Sequence, residues 1–180
     1  MSRDASRKAL QVARAVGVML ALGIGAAGPR LPAQTPAARP ALDVTEASIT
    51  DLQDAMASGR ATAVQLVDAY LARIAAYDQR GPAINAMIRL NPNARADARR
   101  LDEERRQGRV RGPLHGIPVI LKDNFDTFDM PTSGGSLALA NHQPKADAFV
   151  VHRLREAGAV VIGKSNMHEL AAGITTISSL

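Results

Sequence analysis

The stretch Arg111–Asn124 constrains the fold of this 180-residue chain more than any other segment. Glycine and proline punctuate its first half, beginning with Gly112-Pro113, and force a stiff, extended backbone. The short apolar run Pro118–Leu121 follows and indicates a buried strand. Lys122 ends that run, so the sequence predicts a lysine at the margin of an apolar element.

Lys122 has two interpretations on local pattern alone. Burial disfavours the charged form of a lysine, so a shielded Lys122 would be a neutral amine that can act as a general base. Alternatively, a lysine at a strand end is a solvated charge whose stem covers apolar surface. The local pattern leaves both open.

Composition and charge narrow the classes of partner. The net charge of +5 and the pI near 10.2 would suit an anionic partner, but residues 1–40 hold six Lys or Arg against one acidic residue. The remaining residues carry sixteen of each sign. Aromatic residues make up only 3% of the chain, which leaves little to stack on bases. We therefore expect no nucleic-acid partner. The absence of cysteine excludes disulfides, thiolate metal sites and a cysteine nucleophile.

The N-terminal region predicts export. Basic residues precede the uncharged run Ala15–Ala27, which is too short to span a bilayer but suits the apolar part of a secretory signal. We assign residues 1–33 to a signal peptide cleaved between 27 and 33, residues 34–41 to a proline-rich linker, and residues 42–180 to the folded domain. The expected location is periplasmic or secreted, with no stable membrane anchor after processing. The alternatives are an uncleaved anchor or an artefactual start codon, and the export route stays open.

The folded region alternates helical and extended patterns. Four helices are predicted, over residues 48–59, 62–80, 93–107 and 147–157, with Ser48, Thr62 and Asp147 near their starts. Three strands are predicted, over residues 84–90, 118–121 and 159–162. Helices that alternate with apolar strands indicate an α/β sheet covered on both faces.

One segment imitates a phosphate-binding loop. Gly158–Ser165 fits the pattern G-x-x-x-x-G-K-S, in which interior N–H groups wrap around an anion. Its interior residues, Ala-Val-Val-Ile, favour a strand instead. Nucleotide binding is therefore a remote alternative.

Metal binding is also not predicted. His168-Glu169 begins like a zinc-protease helix, but Ala172 stands where the second histidine is needed. Asp123, Asp126 and Asp129 are spaced by three, whereas a calcium loop uses alternate positions. These aspartates suit helix caps and turns, and no metal or organic cofactor is expected.

Four motifs carry a resemblance to a known family. They are Gly112–Val119, Leu121–Asn124, Thr132–Ser136 and Ala157–Met167. In this order and at these separations they resemble the N-terminal part of the amidase signature family. Within the family, the runs Thr62–Leu90 and Arg99–Ser136 are most similar to bacterial peptide amidases and their neighbours. The resemblance implies an α/β fold, namely the N-terminal part of a mixed-sheet α/β/α amidase-signature fold with an incomplete sheet.

The resemblance also implies roles for individual residues. Lys122 falls on the lysine of the family's Ser–cis-Ser–Lys triad, where it takes a proton, relayed by the bridging serine, from the nucleophilic serine. The loop that lines the acyl pocket corresponds to a segment that includes four candidate substrate-binding residues, Ala171, Gly173, Ile174 and Thr175. Scaffolding roles near Lys122 are expected for Ser136, Ser165 and Asn166. The implied substrate is a small-molecule or peptide amide.

The two serines of the triad have no counterpart in this sequence. In the family they lie in a Gly/Ser-rich segment several tens of residues beyond the lysine, and Ser178-Ser179 stand too early and lack the glycines. The first hypothesis is therefore the N-terminal portion of an exported amide hydrolase, inactive by itself. The second is a short protein that keeps part of the fold for binding or interaction. A cleaved signal would exclude a cytosolic amidotransferase role.

Overall fold

A computed structural model describes residues 42–174 and 177–180 of the chain. The predicted signal peptide, the whole predicted linker (residues 34–41) and Thr175 lie outside the described residues. The helices are α1 (Ile49–Ala57), α2 (Ala63–Tyr77), α3 (Ala94–Arg106) and α4 (Phe149–Glu156). The strands are β1 (Met87–Leu90), β2 (Pro118–Lys122) and β3 (Val160–Ser165), and single 3₁₀ turns occur at Leu137–Leu139 and Glu169–Ala171. Within the described part of the chain, no helix is long and apolar enough to cross a membrane.

The first two helices begin where the sequence predicts. Ser48 caps α1 by accepting a hydrogen bond from the Asp51 N–H, and the Asp51 carboxylate accepts one from the Ser48 N–H. Thr62 and Gln65 form the same reciprocal pair at the start of α2. Each pair satisfies N–H groups that a helix start leaves without partners, so these boundaries are encoded locally.

The connection from α2 to β1 differs from the prediction, because β1 begins at Met87 rather than Ile84. The buried Asp78 carboxylate accepts hydrogen bonds from the N–H groups of Ala86 (2.6 Å) and Met87 (3.1 Å). Asn85 has a positive φ of 49°, which an extended strand does not allow. The alternating pattern therefore belongs partly to a turn organised by Asp78.

The start of α4 is also corrected. Ala148, not Asp147, is the N-cap residue, and it makes no side-chain cap. Asp147 instead accepts a hydrogen bond from the Phe128 N–H (3.0 Å) and lies 3.0 Å from Nε of Arg155. The carboxylate holds the long loop before α4 rather than the helix end.

The three strands form a mixed sheet in the order β1–β3–β2, which confirms the predicted fold class. β1 is antiparallel to β3, and β2 is parallel to β3, with Leu121 opposite Lys164 and Lys122 opposite Ser165. The chain therefore places the end of β2 beside the end of β3.

Two apolar clusters pack on the central strand β3. Helices α1, α2 and α3 contribute to the first cluster, which includes Leu66, Leu101 and the β3 residues Val160 and Ile162. The second cluster contains Leu121, Met130, Val151 and Val161. Consecutive residues of β3 therefore enter different clusters, and the strand is buried on both faces as predicted.

The prediction that β2 is equally buried is wrong. Leu121 is 6% exposed, whereas Ile120 is 47% exposed and Lys122 is exposed. Strand β2 lies at the end of the sheet order, with β3 on one side only among the described residues. The outer edge of β2 and the face that carries Ile120 are consequently open.

Candidate active site

The apparent phosphate loop is a strand. β3 begins at Val160, inside the pattern, and Gly158 forms the turn before it with φ of 87°. A strand cannot wrap its N–H groups around a phosphate, since they pair with the neighbouring strands. The structure therefore supports the strand interpretation. Lys164 is a residue of β3 and not the lysine of a phosphate-binding loop.

Lys122 is the last residue of β2. Its carbonyl oxygen accepts a hydrogen bond from the Phe125 N–H (3.1 Å), so the chain turns directly after it. The side chain is exposed, and strand alternation places it on the face of β2 opposite the buried Leu121. Of the two interpretations of Lys122, the described residues show the exposed one, and its role as base stays a prediction.

The buried lysine of the site is Lys164, which is fully inaccessible to solvent. Its Nζ donates hydrogen bonds to the Pro131 carbonyl (3.0 Å) and to Thr132 Oγ1 (2.5 Å). The Asp123 carboxylate is 3.6 Å away. Burial lowers the pKa of Lys164, and the negative charge of Asp123 opposes that shift.

Asp123 joins this lysine to the Gly/Ser-rich turn. The residue is 1% exposed, and its Oδ2 accepts hydrogen bonds from both the N–H (3.1 Å) and the hydroxyl of Ser133. The Ser133 hydroxyl oxygen in turn accepts from the Gly135 N–H (3.2 Å). The carboxylate that directly follows Lys122 therefore fixes the turn Thr132–Ser136.

Gly134 connects the end of β2 to the loop predicted to line the acyl pocket. Its N–H donates to the Asp123 carbonyl (3.1 Å), and its carbonyl accepts from the Leu170 N–H (2.7 Å). Leu170 and Ala171 both adopt left-handed backbone conformations, with φ of 51° and 57°. One residue of the turn, Gly134, is thus bonded both to Asp123, next to Lys122, and to Leu170, next to Ala171.

The candidate substrate-binding residues have different environments. Ala171 ends the 3₁₀ turn that Gly134 anchors. Gly173 packs so closely on His168 that a Cβ would lie 2.6 Å from the imidazole Cε1. Ile174 is fully exposed, and Thr175 is not described. Their substrate-binding roles remain predictions.

The expected scaffolding residues hold different parts of the site. The Ser165 carbonyl accepts a hydrogen bond from the Asp123 N–H (3.2 Å), so Ser165 supports the Lys122 turn directly. Ser136 is buried in the turn itself. Asn166 instead contacts the entrance to β1, through its N–H to the Ala86 carbonyl (2.7 Å).

The ion pair between Asp123 and Lys164 is not predicted from the sequence. The sequence pattern assigns Asp123 to the turn residues and places Lys164 only in a false phosphate loop. A signal is nevertheless present, because Lys164 follows the apolar run Ala159–Ile162 as Lys122 follows Pro118–Leu121. Within the described residues, no group of three His, Cys, Asp or Glu side chains is placed to hold a metal ion.

Comparison with known proteins gives consistent matches. The Amidase family model matches residues 65–180. A putative amidase of Schizosaccharomyces pombe is 45% identical over 131 residues, which is 72% of this chain and 22% of that protein. A glutamyl-tRNA(Gln) amidotransferase subunit from Chloroflexus aurantiacus is 47% identical over 133 residues, which is 73% of this chain and 27% of that protein.

A solved structure extends the match to the fold. The peptide amidase of Stenotrophomonas maltophilia is 53% identical, with a TM-score of 0.67, over 69% of this chain and 25% of that one. The chain belongs to the amidase signature family. It spans about a quarter of the length of these relatives.

Proposed function

We propose that this chain supplies the lysine base of an exported amide hydrolase that uses a Ser–cis-Ser–Lys mechanism. The observation that carries the proposal is the position of Lys122, which ends β2 directly before the Asp123 that binds the Thr132–Ser136 turn. The family match supports the same position, since Lys122 lies inside the matched residues 65–180.

The proposed reaction moves one proton before the amide bond breaks. In this mechanism the Lys122 amine takes a proton from the bridging serine, which takes one from the nucleophilic serine, and the oxygen of the nucleophilic serine attacks the amide carbonyl. Ammonia or an amine leaves with a returned proton, and water then releases the acid from the acyl-enzyme. Backbone N–H groups near the serines stabilise the oxyanion.

The exposure of Lys122 is consistent with a site in which this chain supplies the lysine and another region supplies the two serines. Lys122 is exposed, so its amine is accessible to groups from outside these residues. In the proposal, both serines come from the region that corresponds to the unmatched three quarters of the relatives. The exposed Ile120 on the same strand would be covered by that region.

The substrate class proposed is a carboxamide, with a peptide amide favoured. The support is the 53% identity to a peptide amidase, whereas the amidotransferase subunit is 47% identical. In the proposal, the loop from Ala171 to Thr175 lines the acyl side of the pocket. Export to the periplasm or the medium is proposed from the basic and apolar pattern of residues 1–33.

A hybrid enzyme tests the proposal. In it, the full 180-residue chain replaces the matched quarter of the S. maltophilia peptide amidase, and ammonia release from a peptide amide is measured. We expect activity that Lys122→Ala abolishes and Lys145→Ala preserves, since Lys145 is an exposed lysine outside the site. Circular dichroism and a thermal melt establish folding. A folded but inactive hybrid, or full activity of Lys122→Ala, would contradict the proposal.

A further inference from the structure

The described residues contain a buried ion pair that the proposed chemistry does not use. Lys164 is inaccessible to solvent and Asp123 is 1% exposed, and the Nζ–Oδ1 distance is 3.6 Å. Burying two charges is costly, and apolar residues of similar size often stabilise a core as well or better. A buried pair is therefore weak evidence for stability and directs attention to what it holds in place.

Both members of the ion pair also form hydrogen bonds with the turn Thr132–Ser136 or the residue before it. The ammonium of Lys164 binds Thr132 Oγ1 and the carbonyl before it. The carboxylate of Asp123 binds the N–H and the hydroxyl of Ser133. Oδ1 of Asp123 has no hydrogen-bond donor and faces Lys164. Removing either charge would leave the other buried without compensation.

Main-chain hydrogen bonds of Asp123 also hold the backbone directly after Lys122. Asp123 donates its N–H to the Ser165 carbonyl and accepts at its own carbonyl from the Gly134 N–H. Lys164 is adjacent to Ser165 on β3 and lies opposite Leu121 in the parallel register. The residues on either side of Lys122 are thus both buried and anchored, whereas the Lys122 side chain is free to reach outward.

We propose that Asp123 and Lys164 are positioning residues for Lys122, and that the pair locks the Thr132–Ser136 turn onto the end of β2. Neither touches the reacting atoms in this role. They set the direction in which Lys122 leaves the sheet, because Asp123 is the next residue along the chain and is bound to the turn. This inference rests on the proposed function for its catalytic consequence, but not for its structural one.

Activity of the hybrid enzyme tests the catalytic consequence. Lys164→Met and Asp123→Asn are each expected to lower kcat about a hundred-fold, because small misplacements of a catalytic group have effects of that order. KM should change by less than about three-fold, since the substrate-binding surface is retained. The double variant is expected to recover thermal stability relative to the single variants, but not kcat, because it removes the uncompensated charge without restoring the lock.

Arg155→Met is the matched control. Arg155 is also a largely buried cation, bound to Asp129 (2.8 Å) and Asp147 (3.0 Å), and neither partner belongs to the Thr132–Ser136 turn or adjoins Lys122 in the chain. We expect it to reduce the thermal stability of the hybrid while kcat stays within about three-fold of the parent. Equal loss of kcat in Arg155→Met and Lys164→Met would reduce the pair to a general stabilising role and overturn the inference.

Hydrogen exchange in the 180-residue chain tests, without an activity assay, whether the Asp123–Lys164 pair holds the Thr132–Ser136 turn on the end of β2. Lys164→Met should accelerate amide exchange in residues 122–125 and 132–136, whereas Arg155→Met should leave those segments at parent rates. Unchanged exchange in both segments would overturn the inference even if the hybrid is active. If the hybrid is inactive with all native residues, the proposed function fails, and faster exchange would still establish the lock.

Discussion

Leu121 and Lys164 lie opposite each other on parallel strands, so the two lysines of the site, Lys122 and Lys164, are separated by a single step of the register. One is exposed and the other is fully buried. The difference arises from what covers each side chain: Pro131 and Thr132 contact Lys164, whereas Lys122 lies on the face of β2 opposite the buried Leu121. An exposed amine next to a buried, charge-paired one suits a division between a reacting lysine and a supporting lysine.

Lys122→Arg is expected to abolish amide hydrolysis by the hybrid enzyme as completely as Lys122→Ala. A guanidinium keeps its proton at neutral pH, so arginine preserves the charge but cannot act as a base. General bases contribute about a hundred-fold to ten-thousand-fold to rate, and kcat for ammonia release should fall by at least that range. Retained turnover in Lys122→Arg, with Lys145→Arg as the control, would show that the lysine has a structural role.

The sequence predicts those parts of the fold that are determined locally. The capping pairs Ser48–Asp51 and Thr62–Gln65 lie within four residues, and they place α1 and α2 correctly. The mixed α/β class follows from the alternation of elements and from the family resemblance. The prediction is wrong where a group distant in sequence determines the backbone conformation. The Asp78 carboxylate, for example, binds the N–H groups of Ala86 and Met87, and β1 begins later than predicted.

The site shows the same limit. Lys122 could be located from its motif, but its exposure depends on which face of β2 other segments cover. The Asp123–Lys164 pair joins residues that are 41 positions apart, and no local pattern specifies that contact. An apolar run before a lysine indicates that burial is possible, but the distant segments that cover each face of the sheet determine which lysine is buried.

The buried His115 should make folding stability depend on pH. Its Nε2 donates to the Leu101 carbonyl (2.9 Å), and its Nδ1 accepts from the Arg111 N–H (3.3 Å), so both ring nitrogens are occupied in the neutral form. Burial lowers the pKa of His115, with further lowering by Arg105 and Arg111 and opposition from the Leu101 bond and Glu104. The folded state therefore binds this proton less readily than the unfolded state.

The sign of the effect follows from that difference. Stability is fully present above the unfolded-state pKa of histidine, about 6.5, and is lost as the pH falls below it. The free energy of unfolding of the 180-residue chain, measured by urea denaturation, should decrease from about pH 7.5 to pH 5.5. For one proton its slope is at most about 1.4 kcal/mol per pH unit. His115→Gln should flatten the dependence, whereas His142→Gln, at an exposed position, should not. Identical slopes in the two variants would exclude His115 as the cause.

Export is predicted to remove the N-terminal region. When the full chain is expressed in a bacterial host, we expect the periplasmic protein to begin between Gly28 and Thr35, since small residues near that point suit signal cleavage. Mass spectrometry of the purified protein identifies the first residue. Replacing Leu20 and Leu22 by aspartate should block export by interrupting the apolar run. Periplasmic protein that still carries Met1 would contradict cleavage.

Self-association is expected of the 180-residue chain in isolation. Strand β2 has an open outer edge, and Ile120 is 47% exposed on it, while Phe128 is 55% and Phe149 is 81% exposed. Open edges and apolar surface of this kind promote association. Light scattering should show particles that grow with concentration, and Ile120→Lys should reduce them more than Ile49→Lys, whose parent side chain is 48% exposed on α1. Equal effects would place the contact elsewhere.

The 180-residue chain alone is expected not to hydrolyse amides. The proposed mechanism needs a serine that attacks and N–H groups that stabilise the oxyanion, and a lysine base without them gives little rate enhancement. Ammonia release from a peptide amide should be at background for the chain alone and should appear when the unmatched part of the S. maltophilia peptide amidase is added in trans. If the chain alone is active, Ser133→Ala, Ser136→Ala, Ser178→Ala and Ser179→Ala determine whether one of its own serines is the nucleophile. Loss of that activity in any of the four would overturn the assignment of Lys122 to a triad completed from outside these residues.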